Sequence, residues 1–232
     1  MNSVQNKARF AGLLYLLTAI PNVFYLIYVP SVLIVPGDAT ATAGRIMASE
    51  SLFRMGIVSE LAGATIFIFV VLALQDLLKG VNKKYASLMV RFFVISVPIS
   101  CVNVLNQIAV LRLLRGDSFL SVFDQRQLDA LVMVFLNLHG YGTIVAQIFW
   151  GLWLFPFGVL VFKSGVLPRI LGVLLIIGCF GYIAASVTVL LFPASGHMVH
   201  ELLIAPGGVA ELSILLWLLI KGIQARPQAA AA

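Results

Sequence analysis

The stretch from Phe53 to Leu78, FRMGIVSELAGATIFIFVVLALQDLL, decides the fold. Between Leu61 and Gln75 it carries no charged residue. A helix of about 20 apolar residues crosses the roughly 30 Å hydrocarbon core of a bilayer, so this stretch reads as a membrane span. Working outward, five more spans follow the same rule, at about 9–29, 86–113, 127–162, 168–192 and 198–220. Composition agrees: of 232 residues 61% are hydrophobic and 10% charged, with mean hydropathy +1.06. Soluble domains carry about 25% charged residues. That balance excludes a soluble enzyme, a nucleic-acid module and a disordered chain.

The reading is an all-α polytopic membrane protein, a bundle of six transmembrane helices forming a single integral membrane domain over 1–232, with a flexible tail at 223–232. Local signals set the ends. Pro30 stops the first span, and Ser51 is placed to cap the second. Asp124 with Gln127 forms a capping box for the fourth, whose far end Pro156 should bend. Pro98 should kink the third span, Pro168 opens the fifth, and Pro206-Gly207-Gly208 is expected to interrupt the sixth. The Ala-rich segment 38–49 suits an interfacial helix or a plain loop equally. Lys7 and Arg9 before an apolar run imitate a signal peptide, but the run continues past Pro21 and Asn22 to Val29, so the first span is read as retained. Cys101 and Cys179 lie inside apolar stretches and read as small packing residues.

Charge sets the topology. With the N-terminus inside, Lys7, Arg9, Lys79, Lys83, Lys84, Arg91, Lys163, Arg169, Lys221 and Arg226 lie on the cytoplasmic side. Arg45, Arg54, Arg112, Arg115 and Arg126 then lie opposite, 10 against 5. Short loops rich in Lys and Arg stay inside, which gives N-in and C-in. The basic ring on the cytoplasmic rim would meet anionic lipids, although topology alone accounts for the same residues. Trp150, Trp153 and Trp217 fit packing and interface anchoring.

Ionisable groups in hydrocarbon cost about 2.5–3.5 kcal/mol each on insertion scales and mark candidate sites. Glu60 and Glu211 are the main ones. Asn103, Asn106 and Gln107 share a helix face by i, i+3, i+4 spacing, and His139, Thr143 and Gln147 form a second stripe. These groups fall at similar depth, which reads as an outward-facing polar cavity centred on Glu60, His139 and Glu211, with Arg54 as a charge partner. For the amides interhelical hydrogen bonding is the favoured reading, and for Glu60 and Glu211 a functional one. A metal site from His139, His197, His200 and Glu201 is a weaker alternative. A faint parallel duplication pairs Ser59-Glu60-Leu61 with Ala210-Glu211-Leu212, and Lys79-Gly80 with Lys221-Gly222. No nucleophile, phosphate-loop or dinucleotide pattern is present. No cofactor and no nucleic acid are expected, and an enzyme is the less favoured reading.

Several stretches resemble a bacterial multi-pass membrane protein family known as domain of unknown function 4386. They are Ala8-Arg9-Phe10-Ala11-Gly12-Leu13-Leu14, Phe53-Arg54-Met55-Gly56-Ile57-Val58-Ser59-Glu60-Leu61, Gly151-Leu152-Trp153-Leu154-Phe155-Pro156-Phe157-Gly158, the 163–172 linker, and Glu211 with 215–219. The resemblance implies an integral protein of the bacterial cytoplasmic (inner) membrane and supplies no activity. The expected function is binding or transport of a small polar or cationic ligand. An intramembrane metal-dependent hydrolase and a structural or accessory subunit remain the alternatives.

Overall fold

A computed structural model describes residues 2–223, without the side chains of residues 2, 3, 194, 195 and 197. All of the expected tail except Ile223 lies outside the described residues. In chain order α1 (Asn2–Val23) passes through a π-helical turn (Phe24–Tyr28) into α2 (Val29–Leu33). Then come α3 (Ala39–Ala48), α4 (Glu50–Leu78), α5 (Lys83–Arg115), α6 (Gln125–Leu152), α7 (Leu154–Ser164), α8 (Arg169–Leu191) and α9 (Pro193–Ile220). No strand occurs among the described residues, so the fold is all-α. Among the described residues six helical stretches are long and apolar enough to cross a membrane: Val4–Leu33, Glu50–Leu78, Lys83–Arg115, Gln125–Ser164, Arg169–Leu191 and Met198–Ile220.

The helix ends follow from side-chain chemistry. Asp124 and Gln127 form the expected capping box: Gln127 N–H donates to Asp124 Oδ1 at 3.0 Å, and Asp124 N–H donates to Gln127 Oε1 at 2.9 Å. The 38–49 segment is helical as α3, because Asp38 Oδ1 accepts the Ala41 N–H at 2.8 Å and so caps it. Ser51 is not a cap; α4 begins at Glu50 and Ser49 closes α3. The fourth span is divided at Trp153, between α6 and α7. Pro156 explains the place: it has no N–H for the Leu152 carbonyl four residues back.

The interruption expected in the sixth span is absent. α9 runs unbroken through Pro206-Gly207-Gly208. A proline removes a single backbone bond from a helix held by its neighbours, and the glycines serve contact instead. A Cβ on Gly178 of α8 would lie 2.6 Å from the Gly207 Cα. Small residues let two backbones approach this closely.

The chain divides into two compact units, and α1, α4, α5 and α6 contribute segments to both. Unit one comprises Met1–Leu17, Ile66–Ser96 and Ala146–Ala232. Its core is aromatic. Trp153, 1% exposed, stacks on Phe157 at 5.2 Å and meets Phe67 edge-on at 5.3 Å. Phe67 stacks on Phe93 at 4.4 Å, and Tyr15 meets Phe67 edge-on at 5.1 Å. Here α8 packs against both α7 and α9.

Unit two comprises Thr18–Thr65 and Val97–Val145. Its core is mainly aliphatic, built on Leu33, Ile46, Val110 and Val132, all 1% exposed or less, with Phe53 at 5%. Asn22 packs against Gly63, where a Cβ would strike the Asn22 side chain. In both units large apolar side chains also lie exposed, such as Phe10 and Ile170 in unit one and Val102 and Val58 in unit two. Lipid is the solvent that suits such a surface.

Candidate ligand site

In unit two three helices bring Glu60 (α4), Gln107 (α5) and His139 (α6) together. Glu60 is 4% exposed. Its Oε2 lies 2.9 Å from His139 Nε2 and 3.2 Å from Gln107 Nε2, and the two nitrogens are 2.9 Å apart. Three polar atoms therefore form a closed triangle. An imidazole nitrogen either donates or accepts, never both, and the amide can present either its nitrogen or its oxygen. His139 Nε2 therefore has one hydrogen-bonding valence and two polar neighbours, each at 2.9 Å. Gln107 Oε1 is buried and has no hydrogen-bond partner among the described residues. A buried acceptor left unmade costs about 1–3 kcal/mol, so this triangle is not optimised for stability.

The surroundings fix His139 from behind. Asn103 Nδ2 donates to the His139 carbonyl at 2.8 Å, and Thr143 Oγ1 donates to the same oxygen at 3.0 Å. Asn106 Nδ2 donates in turn to the Asn103 carbonyl and to Asn103 Oδ1, both at 3.1 Å. Gly142 makes this approach sterically feasible, because a Cβ there would collide with the Asn103 amide. Thus Asn103 and Asn106 hold the helix carrying His139, while Gln107 alone of the three amides reaches Glu60. Tyr25 lies in the π-helical turn of the same unit. Such turns recur at functional sites.

Glu211 belongs to unit one and has other partners. Tyr15 Oη donates to its Oε2 at 2.5 Å, and Tyr182 Oη donates to its Oε1 at 2.9 Å. Each carboxylate oxygen is thereby occupied, and α1, α8 and α9 are tied together. Gln147 Nε2 donates to Ser186 Oγ at 3.1 Å and to the Tyr182 carbonyl at 3.3 Å, while its Oε1 lies 3.1 Å from His200 Nε2.

The remaining candidate residues fall elsewhere. Arg54 pairs with Glu50, not with Glu60: its Nε donates to Glu50 Oε1 at 2.7 Å. His200 Nδ1 lies 3.5 Å from Glu201, which is 84% exposed. The His197 side chain lies outside the described residues. Among the described residues no three His, Cys, Asp or Glu side chains gather as a metal would require.

Sequence reasoning missed Tyr15, Tyr182 and Tyr25. A phenol in a span needs a partner as an amide does, so the signal was there: hydroxyls inside apolar runs that also hold a carboxylate.

No curated protein and no solved structure matches the chain significantly. A family model does, across residues 10–222. With six helices of membrane-spanning length and this match over nearly the whole sequence, the chain belongs to the family described as Domain of unknown function (DUF4386).

Proposed function

We infer that the protein binds a small cationic ligand that carries hydrogen-bond donors, at Glu60, His139 and Gln107. One observation carries the reading: Glu60 and His139 form an ion-pair geometry in unit two beside a buried, unpartnered Gln107 Oε1. A guest ammonium would give both Glu60 and Gln107 Oε1 a donor. His139 Nε2 would stay within hydrogen-bond distance of Glu60 Oε2 and hold the carboxylate in place for the guest. Ionisable groups inside a membrane segment mark ligand or proton routes by default. Glu211 supports a different role, because each of its oxygens already accepts from a tyrosine hydroxyl.

The site belongs to a protein of the bacterial inner membrane with both termini cytoplasmic, supported by the 10-to-5 distribution of Lys and Arg. In that orientation the triangle lies in the outer half of its spans, and the ligand enters from outside.

Calorimetry on the full chain in detergent tests this, with methylammonium as probe and glycerol as neutral control. The wild type is expected to bind methylammonium and not glycerol. Glu60→Gln should abolish binding, and Gln107→Leu should weaken it. No methylammonium binding by the wild type, or equal binding by Glu60→Gln, overturns the reading.

A further inference from the structure

A second feature of unit two is unrelated to the Glu60 triangle. A cavity of about 330 Å³ is lined by Arg54, Arg112 and Arg115 together with Ile57, Val58, Ile108 and Leu111. The arginines come from the start of α4 and the end of α5, so two antiparallel helices place them at one end. Arg54 Nη2 pairs with Glu50 at 2.6 Å, and Arg112 Nη2 pairs with Asp117 at 2.5 Å. Arg115 has no ion-pair or hydrogen-bond partner among the described residues. Three cations and two acids leave one positive charge over an apolar floor.

We propose that this cavity holds the headgroup of an anionic phospholipid, its phosphodiester on Arg115, Arg112 and Arg54. A phosphodiester carries one negative charge, which matches the surplus. Guanidinium forks bind phosphate oxygens in pairs, and long arginine stems reach from a helix end to the interface. The acyl chain has a place as well. On α5 an exposed apolar stripe leads away from Arg112 through Ile108, Leu105 and Val102, 42%, 59% and 65% exposed. Ten residues of helix rise about 15 Å, the thickness of one leaflet of a bilayer core. Dipole compensation explains Arg112 and Arg115 at the end of α5, but not why Arg54 of α4 meets them over one cavity. Topology does not explain them either, since this end is the less basic one.

Native mass spectrometry of the full chain tests the proposal, with titrations of phosphatidylglycerol, phosphatidylcholine and inorganic phosphate. The wild type is expected to take one phosphatidylglycerol at least tenfold more tightly than phosphatidylcholine. Arg115→Gln should lower phosphatidylglycerol occupancy about tenfold, the weight of one charged hydrogen bond, and leave phosphatidylcholine unchanged. Lys83→Gln with Lys84→Gln, at the other end of α5, should change nothing. Glu60→Gln should also leave lipid binding intact, which separates this site from the triangle. Equal occupancy by the two lipids overturns the proposal, and so does an unchanged preference in Arg115→Gln. Displacement of the lipid by millimolar inorganic phosphate would make the site one for a soluble anion and sink it equally.

Discussion

The two units each hold a carboxylate inside an apolar helix, and they treat it in opposite ways. Glu211 in unit one has a tyrosine hydroxyl on each oxygen, at 2.5 and 2.9 Å. Glu60 in unit two faces a histidine nitrogen with two polar neighbours and an amide whose oxygen has no partner among the described residues. Neutral phenols satisfy a carboxylate without competing for its proton, so the first arrangement resembles a fastening. Glu60 has a histidine at 2.9 Å and beside it an amide oxygen without a partner among the described residues, so the second resembles a working site. What separates structural glue from a site is therefore the state of the partners, not the presence of the charge.

The largest effect that could break this contrast belongs to Glu211. Glu211→Leu removes the hydrogen bonds from Tyr15 and Tyr182, and a buried donor that loses its acceptor costs about 1–3 kcal/mol. Thermal unfolding in detergent should show a loss of about 2–5 kcal/mol, and a change below about 1 kcal/mol would mean the tyrosines fasten nothing. Next comes Gly142→Ala, whose Cβ must push the Asn103 amide off the His139 carbonyl. Overpacking of this kind costs about 1–3 kcal/mol, and methylammonium binding should weaken with it because His139 loses its support. Tyr182→Phe removes one hydrogen bond and should cost about 1 kcal/mol, without any effect on methylammonium binding. The smallest stability change is expected for Glu60→Gln. Glutamine keeps the size of the glutamate and an acceptor oxygen for His139, so unfolding should move by less than about 1 kcal/mol while binding disappears. A Glu60→Gln protein as damaged as Glu211→Leu would erase the distinction between the two units.

Much of the fold was legible because its cause is local. A bilayer demands long apolar helices, and each is written as an uninterrupted run, so six spans could be counted without any tertiary information. The Asp124–Gln127 box was legible for the same reason: both partners lie within one turn. Ser51 and Pro206 were misread because the outcome depended on neighbours. Ser49 had already been taken by the end of α3, and Gly207 was held by Gly178 of another helix. At the candidate site, the types and depths of Glu60, His139 and Gln107 could be read, but their contact could not. Hydrogen bonds across 79, 47 and 32 residues leave no trace in local spacing.

The sequence by itself determined that this chain is a set of membrane-spanning helices with a few ionisable side chains in oil, since length and hydropathy are properties of each segment alone. Ser59-Glu60-Leu61 and Ala210-Glu211-Leu212 look alike at that level. Only the tertiary structure decided that Glu211 meets two tyrosines and Glu60 meets a histidine and a glutamine. The physical reason is that a carboxylate's role depends on the donors within about 3 Å of it, and packing between distant helices, not the neighbouring residues in the chain, chooses those donors.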